Sequence, residues 1–258
     1  MFGNISKVPA VSVLPGSVVP VPNSQPKVSN REWMLSHSVV STKECELTVL
    51  ATEELLKEIA RLSDSKLGDE RLKPTHIVDM YVDAGKRPIR DKFRYLHRDG
   101  EGGQYLRVRK EPISDDPMDR GLWVKTTDTL TYDEYIAEQP TFPNSRGKDL
   151  AVRKDRYKVL IDGRLAHVYV YHGRLCGLVT VSFRGLTPKT RAELRDDISV
   201  TDNTKSIHRL CIDPNDAEVM LNGCRLAGHS YGELAADLAN TGYIKLQPRK
   251  FGLRDRVR

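Results

Sequence analysis

Three short segments carry basic residues at alternate positions: Tyr105 to Lys110 (YLRVRK), Leu122 to Thr127 (LWVKTT) and Val152 to Ile161 (VRKDRYKVLI). Successive side chains of an extended chain point to opposite faces. Arg107 and Arg109 therefore share one face, Lys125 lies on another, and Lys154 with Arg156 on a third, each backed by apolar residues such as Leu106, Val108 and Val124. If those faces converge they make an anion site, because fixed Arg and Lys groups in a low-dielectric enclosure hold phosphate oxygens far better than the same groups in water. The bland alternative is a sandwich with a charged outer face, since alternating strands are common in antiparallel sheets.

The elements that must position these residues are legible around them. Asp162-Gly163, between two alternating segments, is a two-residue hairpin signal, and His172-Gly173 is a weaker second one. Together they imply a three-strand antiparallel meander from Val152 to Arg184, whose last strand sets Thr180, Ser182 and Arg184 opposite Val179, Val181 and Phe183. Upstream, KECELTVL reads as a strand. Thr52, then Glu53 and Glu54, then a stripe of Leu55, Ile59 and Leu62 read as a capped amphipathic helix lying outside the sheet. Residues 84–103, charged and ending Gly-rich, suggest a long β-connection or a mobile loop over the mouth of the enclosure. Thr187-Pro188, Thr190-x-x-Glu193 and Ser230-x-x-Glu233 resemble helix starts.

In this order the pieces resemble one family. Glu44-Cys45-Glu46, the helix after it, HIVDMYVDAG, YLRVRK, LWVKTT, VRKDRY, HVYVYHGRLCGLVTVSFRG and RDDISVT together resemble the CYTH or triphosphate-tunnel superfamily over roughly residues 38–230. Its members include thiamine-triphosphatases, inorganic triphosphatases and one class of adenylate cyclase. The resemblance implies an α+β fold dominated by an antiparallel tunnel-like β-barrel of about eight strands with short outer helices. It also implies a phosphate-binding set of Arg107, Arg109, Lys125, Lys154 and Arg156.

Several positions depart from the family pattern. Thr48 replaces the lysine of the first-strand motif, Tyr169 an aspartate, and Ser182 and Arg184 two glutamates. Glu44 and Glu46 share a face and could hold one Mg2+ or Mn2+ ion, but hard cations need several oxygen ligands. The other reading of the pair is electrostatic pairing with basic tunnel residues, including Arg184. The leading functional expectation is therefore a degenerate, inactive tunnel protein that binds phosphate or another anion, or serves as a structural module in a larger assembly or virus particle. A metal-dependent triphosphatase or nucleotidyl cyclase acting on a triphosphate is the alternative, and nucleic-acid binding through the basic faces a third reading.

Composition sets outer bounds. The net charge of +6 over 258 residues favours anionic partners. A mean hydropathy of −0.48 fits a barrel with a partly polar interior. The four cysteines show no Cys-x-x-Cys spacing and the histidines are not clustered along the chain, which argues against zinc, and Cys45 and Cys176 read as small core residues in strands. No apolar run suits a membrane span, so the reading is of a soluble protein, cytoplasmic or a virion component, in a reducing compartment. Residues 1–30 form an extended or disordered Pro-broken arm suited to contacting a partner, residues 38–240 the tunnel domain, and residues 241–258 a basic, solvated tail.

Overall fold

The computed structural model describes residues 18–20, 39–64, 72–82, 90–114, 122–138, 151–199, 206–212, 221, 226–227, 234 and 245–253. In chain order its strands are β1 (Val18–Pro20), β2 (Val40–Ala51), β3 (Thr75–Tyr81), β4 (Arg90–His97), β5 (Gln104–Pro112), β6 (Leu122–Leu130), β7 (Ala151–Ile161), β8 (Arg164–Tyr171), β9 (Val179–Arg184) and β10 (Cys211–Ile212). The helices are α1 (Glu53–Asp64), α2 (Tyr132–Glu138), α3 (Pro188–Ser199) and α4 (Ser206–Leu210).

Eight of the strands close on themselves in the order β7, β3, β4, β5, β6, β2, β9, β8 and back to β7, every pairing antiparallel. Closure rules out the sandwich. The strands are staggered as a tilted barrel requires: β2 pairs β6 through residues 40–45 and then β9 through residues 46–50. The Asp162-Gly163 turn forms as expected, with φ of 48° and 75° at its two residues, the left-handed values that a type I′ hairpin demands.

Hydrophobic burial lies mostly outside the barrel wall. Leu47 and Val49 of β2, Val168 of β8, and Val181 and Phe183 of β9 join Leu55 and Ile59 of α1 and Leu194 and Ile198 of α3 in one core. Covering that side of the wall with helices leaves the interior free to carry charge. Pro188 opens α3, and Thr187 caps it: the Thr190 amide donates to Thr187 Oγ1 at 3.1 Å, so the cap lies one helical start earlier than the Thr190 reading. Thr52 does precede α1, but its hydroxyl donates to the Arg209 carbonyl at 2.5 Å, tying α1 to α4.

Four expectations need correction. Residues 90–97 are not a loop over the mouth but the barrel strand β4, paired on both sides. The described part of the arm, Val18–Pro20, pairs with Val159–Ile161 of the chain's own β7 and needs no neighbouring subunit to be ordered. Residues 245–253 are not a free tail: Leu246 and Leu253 are buried in the core, and the Leu246 amide donates to the Gly177 carbonyl at 3.1 Å. Cys176 follows a 3-10 turn at Gly173–Leu175 instead of lying in a strand, whereas Cys45 is buried in β2 as expected. The Ser230-x-x-Glu233 helix start lies outside the described residues.

Candidate functional site: a cationic cavity in the barrel

The barrel encloses a cavity of about 290 Å³ lined by seven basic side chains, Lys92, Arg94, Lys110, Lys125, Lys154, Arg156 and Arg184. Period-two alternation sends them inward. On β9, for example, Thr180, Ser182 and Arg184 line the cavity, while Val181 and Phe183 enter the core outside.

Three carboxylates answer this charge, in two groups. Asp79 on β3 is completely buried and is gripped by Arg94 at 2.6 Å, Lys92 at 3.0 Å and Lys154 at 3.0 Å. Burial alone would raise the Asp79 pKa, but Arg94, Lys154 and Lys92 overcome it and hold the carboxyl well below the usual range. One anion cannot balance three cations. Burial, followed by the Arg94 charge, accordingly pulls Lys92 well below an ordinary lysine despite Asp79 beside it.

Glu44 and Glu46 on β2 form the second group. Lys110 Nζ lies 2.9 Å from an oxygen of each, Lys125 Nζ lies 3.0 Å from Glu44, and the Arg184 guanidinium lies 3.3 Å from each. Burial pushes the Glu44 carboxyl up, and Lys110, Arg184 and Lys125 together bring it below its ordinary value. Of the two readings of this pair, the geometry is that of ion pairing. A hard divalent cation bound by these two carboxylates would have to displace Lys110, Lys125 and Arg184, with the Thr48 and Ser182 hydroxyls the neutral oxygens nearby.

Between the groups lie Arg156, His167, Tyr169 and Ser182. Burial lowers the Arg156 pKa, and Arg94, Arg184 and Arg98 lower it further, against a compensating contribution from Tyr169. Burial and the nearby Arg184, Arg156 and Lys158 charges hold His167 neutral, with a pKa of about 2. Burial raises the Tyr169 pKa, but Arg184, Arg156, Lys154 and Arg94 outweigh it and bring the phenol to about 8. Arg156 Nε, His167 Nδ1 and Ser182 Oγ are buried with no hydrogen-bond partner among the described residues. They are donor-capable groups on residues that line the cavity, where a ligand or water can satisfy them.

The structure gathers Glu44, Glu46, Lys125, Lys154 and Arg156 into this cavity, but not Arg107 and Arg109. Both arginines point outward. Arg107 pairs with Asp91 at 2.9 Å and Glu138 at 3.4 Å with 42% of its side chain exposed, and Arg109 pairs with Glu111 at 2.6 Å with 49% exposed. Their strand is turned over relative to the expectation, so that Val108 and Lys110 face inward instead. Alternation fixes which residues share a face, not which face is inside, and a barrel with a polar interior removes the usual rule that the apolar side is the buried one. Lys92 and Arg94 belong to the basic stretch 84–103, whose residues could contact an anion but read more readily as a solvated loop, although Lys92, Phe93, Arg94 and Tyr95 alternate polar and aromatic in the sequence. Asp79 lay within HIVDMYVDAG with no signal to distinguish it from a solvated acid.

Histidines that are not clustered along the chain come together in the fold. His76 and His97 are register partners across β3 and β4, with ring centroids 4.8 Å apart on the outer side of the wall.

No family model matches the sequence, and no curated protein matches it. Among solved structures, the chain is similar to the inorganic triphosphatase NE1496, with 16% identity over 61% of this chain and 81% of that one and a TM-score of 0.31. It is also similar to an adenylate-cyclase-like protein, bh2851, from Bacillus halodurans, with 16% identity over 66% and 97% of the two chains and a TM-score of 0.41. A third is HpAC1 from Hippeastrum, an adenylyl-cyclase-like protein described as having a dominant triphosphatase activity, with 9% identity over 60% and 85% and a TM-score of 0.34.

Proposed function

We propose that the cavity binds a phosphate-chain anion, such as a triphosphate or a short polyphosphate, with the chain's own lysines and arginines as its counter-charge, and that it does so without metal-dependent turnover. The observation that carries the reading is Arg156. Its guanidinium lies among other arginines, its Nε is buried without a partner among the described residues, and its compensating charge is a phenol. A polyanion entering the cavity would remove that electrostatic strain and satisfy Arg156, His167 and Ser182 together. Seven basic groups against three carboxylates leave a positive excess that a phosphate chain would neutralise.

Calorimetric titration of tripolyphosphate in the presence of a chelator tests this. Binding without added metal, weakened at least about ten-fold by Arg156→Gln, supports it, since a charge-assisted hydrogen bond contributes about 1.5–3 kcal/mol.

The alternative, a metal-dependent triphosphatase or nucleotidyl cyclase, requires Glu44 and Glu46 to exchange Lys110, Lys125 and Arg184 for Mg2+ or Mn2+. It retains one observation in its favour: both carboxylates face the cavity. Phosphate release that depends on the metal and disappears in Glu46→Ala would establish it over the binding reading.

A further inference from the structure

We propose a second ligand site, distinct from the cavity: a transition-metal site on the outer wall of the barrel built from His76, His97 and Asp99. One potential ligand atom from each of the three lies within 4.8 Å of the others. A divalent ion with bonds of about 2.0–2.2 Å places its ligands roughly 3.4 Å apart in tetrahedral geometry. His76 Nε2 and Asp99 Oδ1, 3.6 Å apart, already stand near that spacing, so the His97 ring is the group that must move closer.

The histidines owe their proximity to register. β3 and β4 pair His76 directly opposite His97, and Asp99 follows two residues later, where β4 gives way to the turn before β5. His76 is also oriented from behind. Its Nδ1 lies 2.6 Å from Asp155, an acid only 2% exposed on β7, and the second oxygen of Asp155 lies 3.3 Å from His172 Nε2. This leaves His76 Nε2 directed at Asp99, 3.6 Å away. A buried carboxylate that fixes one ring nitrogen and aims the other outward is the arrangement that supports metal-bound histidine, because it sets the tautomer and raises the basicity of the ligating nitrogen. His97 Nδ1 is buried with no hydrogen-bond partner among the described residues.

Two imidazoles and one carboxylate select borderline divalent ions such as Zn2+ or Co2+ over Mg2+ or Ca2+, which take all-oxygen shells, and leave a fourth position for water. Because the ligands span two strands and the turn after β4, a bound ion would fasten the end of the same strand that carries Lys92 and Arg94 into the cavity. The site does not depend on the proposed anion binding, and the two are separable by test.

Full-length protein freed of metal with a chelator is titrated with ZnCl2, with stoichiometry read by equilibrium dialysis and stability by thermal melting. Co2+ serves as a spectroscopic substitute. One equivalent of Zn2+ is expected, accompanied by a rise in melting temperature and, for Co2+, the intense visible bands of a four-coordinate ion. Asp99→Ala, at an exposed position that leaves the fold intact, and His97→Gln should each abolish binding. Asp155→Asn should weaken it by about 10–100-fold, the usual cost of losing such an outer-shell carboxylate. Glu44→Gln should leave it unchanged. Absence of saturable Zn2+ binding, full retention in both Asp99→Ala and His97→Gln, or loss in Glu44→Gln would overturn the site and leave these residues as a hydrogen-bonded structural cluster.

Discussion

Arg184 spans the two glutamates of β2, its guanidinium 3.3 Å from Glu44 Oε2 and 3.3 Å from Glu46 Oε2. Strand pairing dictates this contact, because Arg184 is the register partner of Glu46. A guanidinium placed there occupies the region in which two carboxylates would otherwise hold a cation. Replacing Ser182 and Arg184 together by glutamate should reverse the chemistry by adding two carboxylates and removing one cation. The double variant Ser182→Glu, Arg184→Glu is expected to bind Mn2+ at least about ten-fold more tightly than the parent chain, measured by paramagnetic resonance of free Mn2+. Equal affinity in the two proteins would show that Arg184 does not govern cation access.

Asp79 is the anchor of the other end of the cavity. Removing its charge in Asp79→Asn leaves Lys92, Arg94 and Lys154 buried without their anion, and an expected loss of about 3–5 kcal/mol follows from unpairing buried charge. Urea unfolding at neutral pH measures it. The sign of the pH dependence follows from the direction of the shift. A carboxyl held below its ordinary value stabilises the fold above the ordinary carboxylate range, and that stabilisation is lost as pH falls through the lower folded-state value. The gap between parent and Asp79→Asn should therefore narrow in strong acid.

Tyr169 should make anion binding sensitive to mild alkali. Its phenol ionises at about 8, and the tyrosinate then competes with a ligand for Arg184, Arg156 and Lys154. Affinity for tripolyphosphate is expected to fall as pH rises from 7 to 9 by more than in Tyr169→Phe, as read by titration calorimetry with tyrosinate absorbance monitored alongside. Stability moves the other way. A group whose pKa is depressed contributes above its ordinary value, near 10, and that contribution is lost as pH falls towards 8, so the parent should gain on Tyr169→Phe across that window.

Much of the barrel was legible because alternation and turn chemistry are local. The β7, β8 and β9 meander and its Asp162-Gly163 turn, the helix after β2, and the inward Lys125, Lys154 and Arg156 all follow from residues close in sequence. What escaped depends on information held between strands. Arg107 and Lys110 are on opposite faces of β5, and only the closure of the sheet decides that Lys110 meets Glu44 and Glu46 while Arg107 meets Asp91. Lys92 and Arg94 were hidden by the charged, glycine-ending composition around β4, which outweighed a short alternating run. The His76 and His97 pair depends on register alone, since 20 residues separate them in the chain.

The most direct test of the central claim is the titration of tripolyphosphate into the purified chain, run in chelator and again with Mg2+ or Mn2+, with phosphate release followed in the same samples. Saturable binding in chelator is expected, at least about ten-fold weaker in Arg156→Gln, with no appreciable phosphate release under either condition. Binding that requires the metal, or turnover near a typical enzyme rate of about 1 per second or more that is abolished by Glu46→Ala, would contradict it.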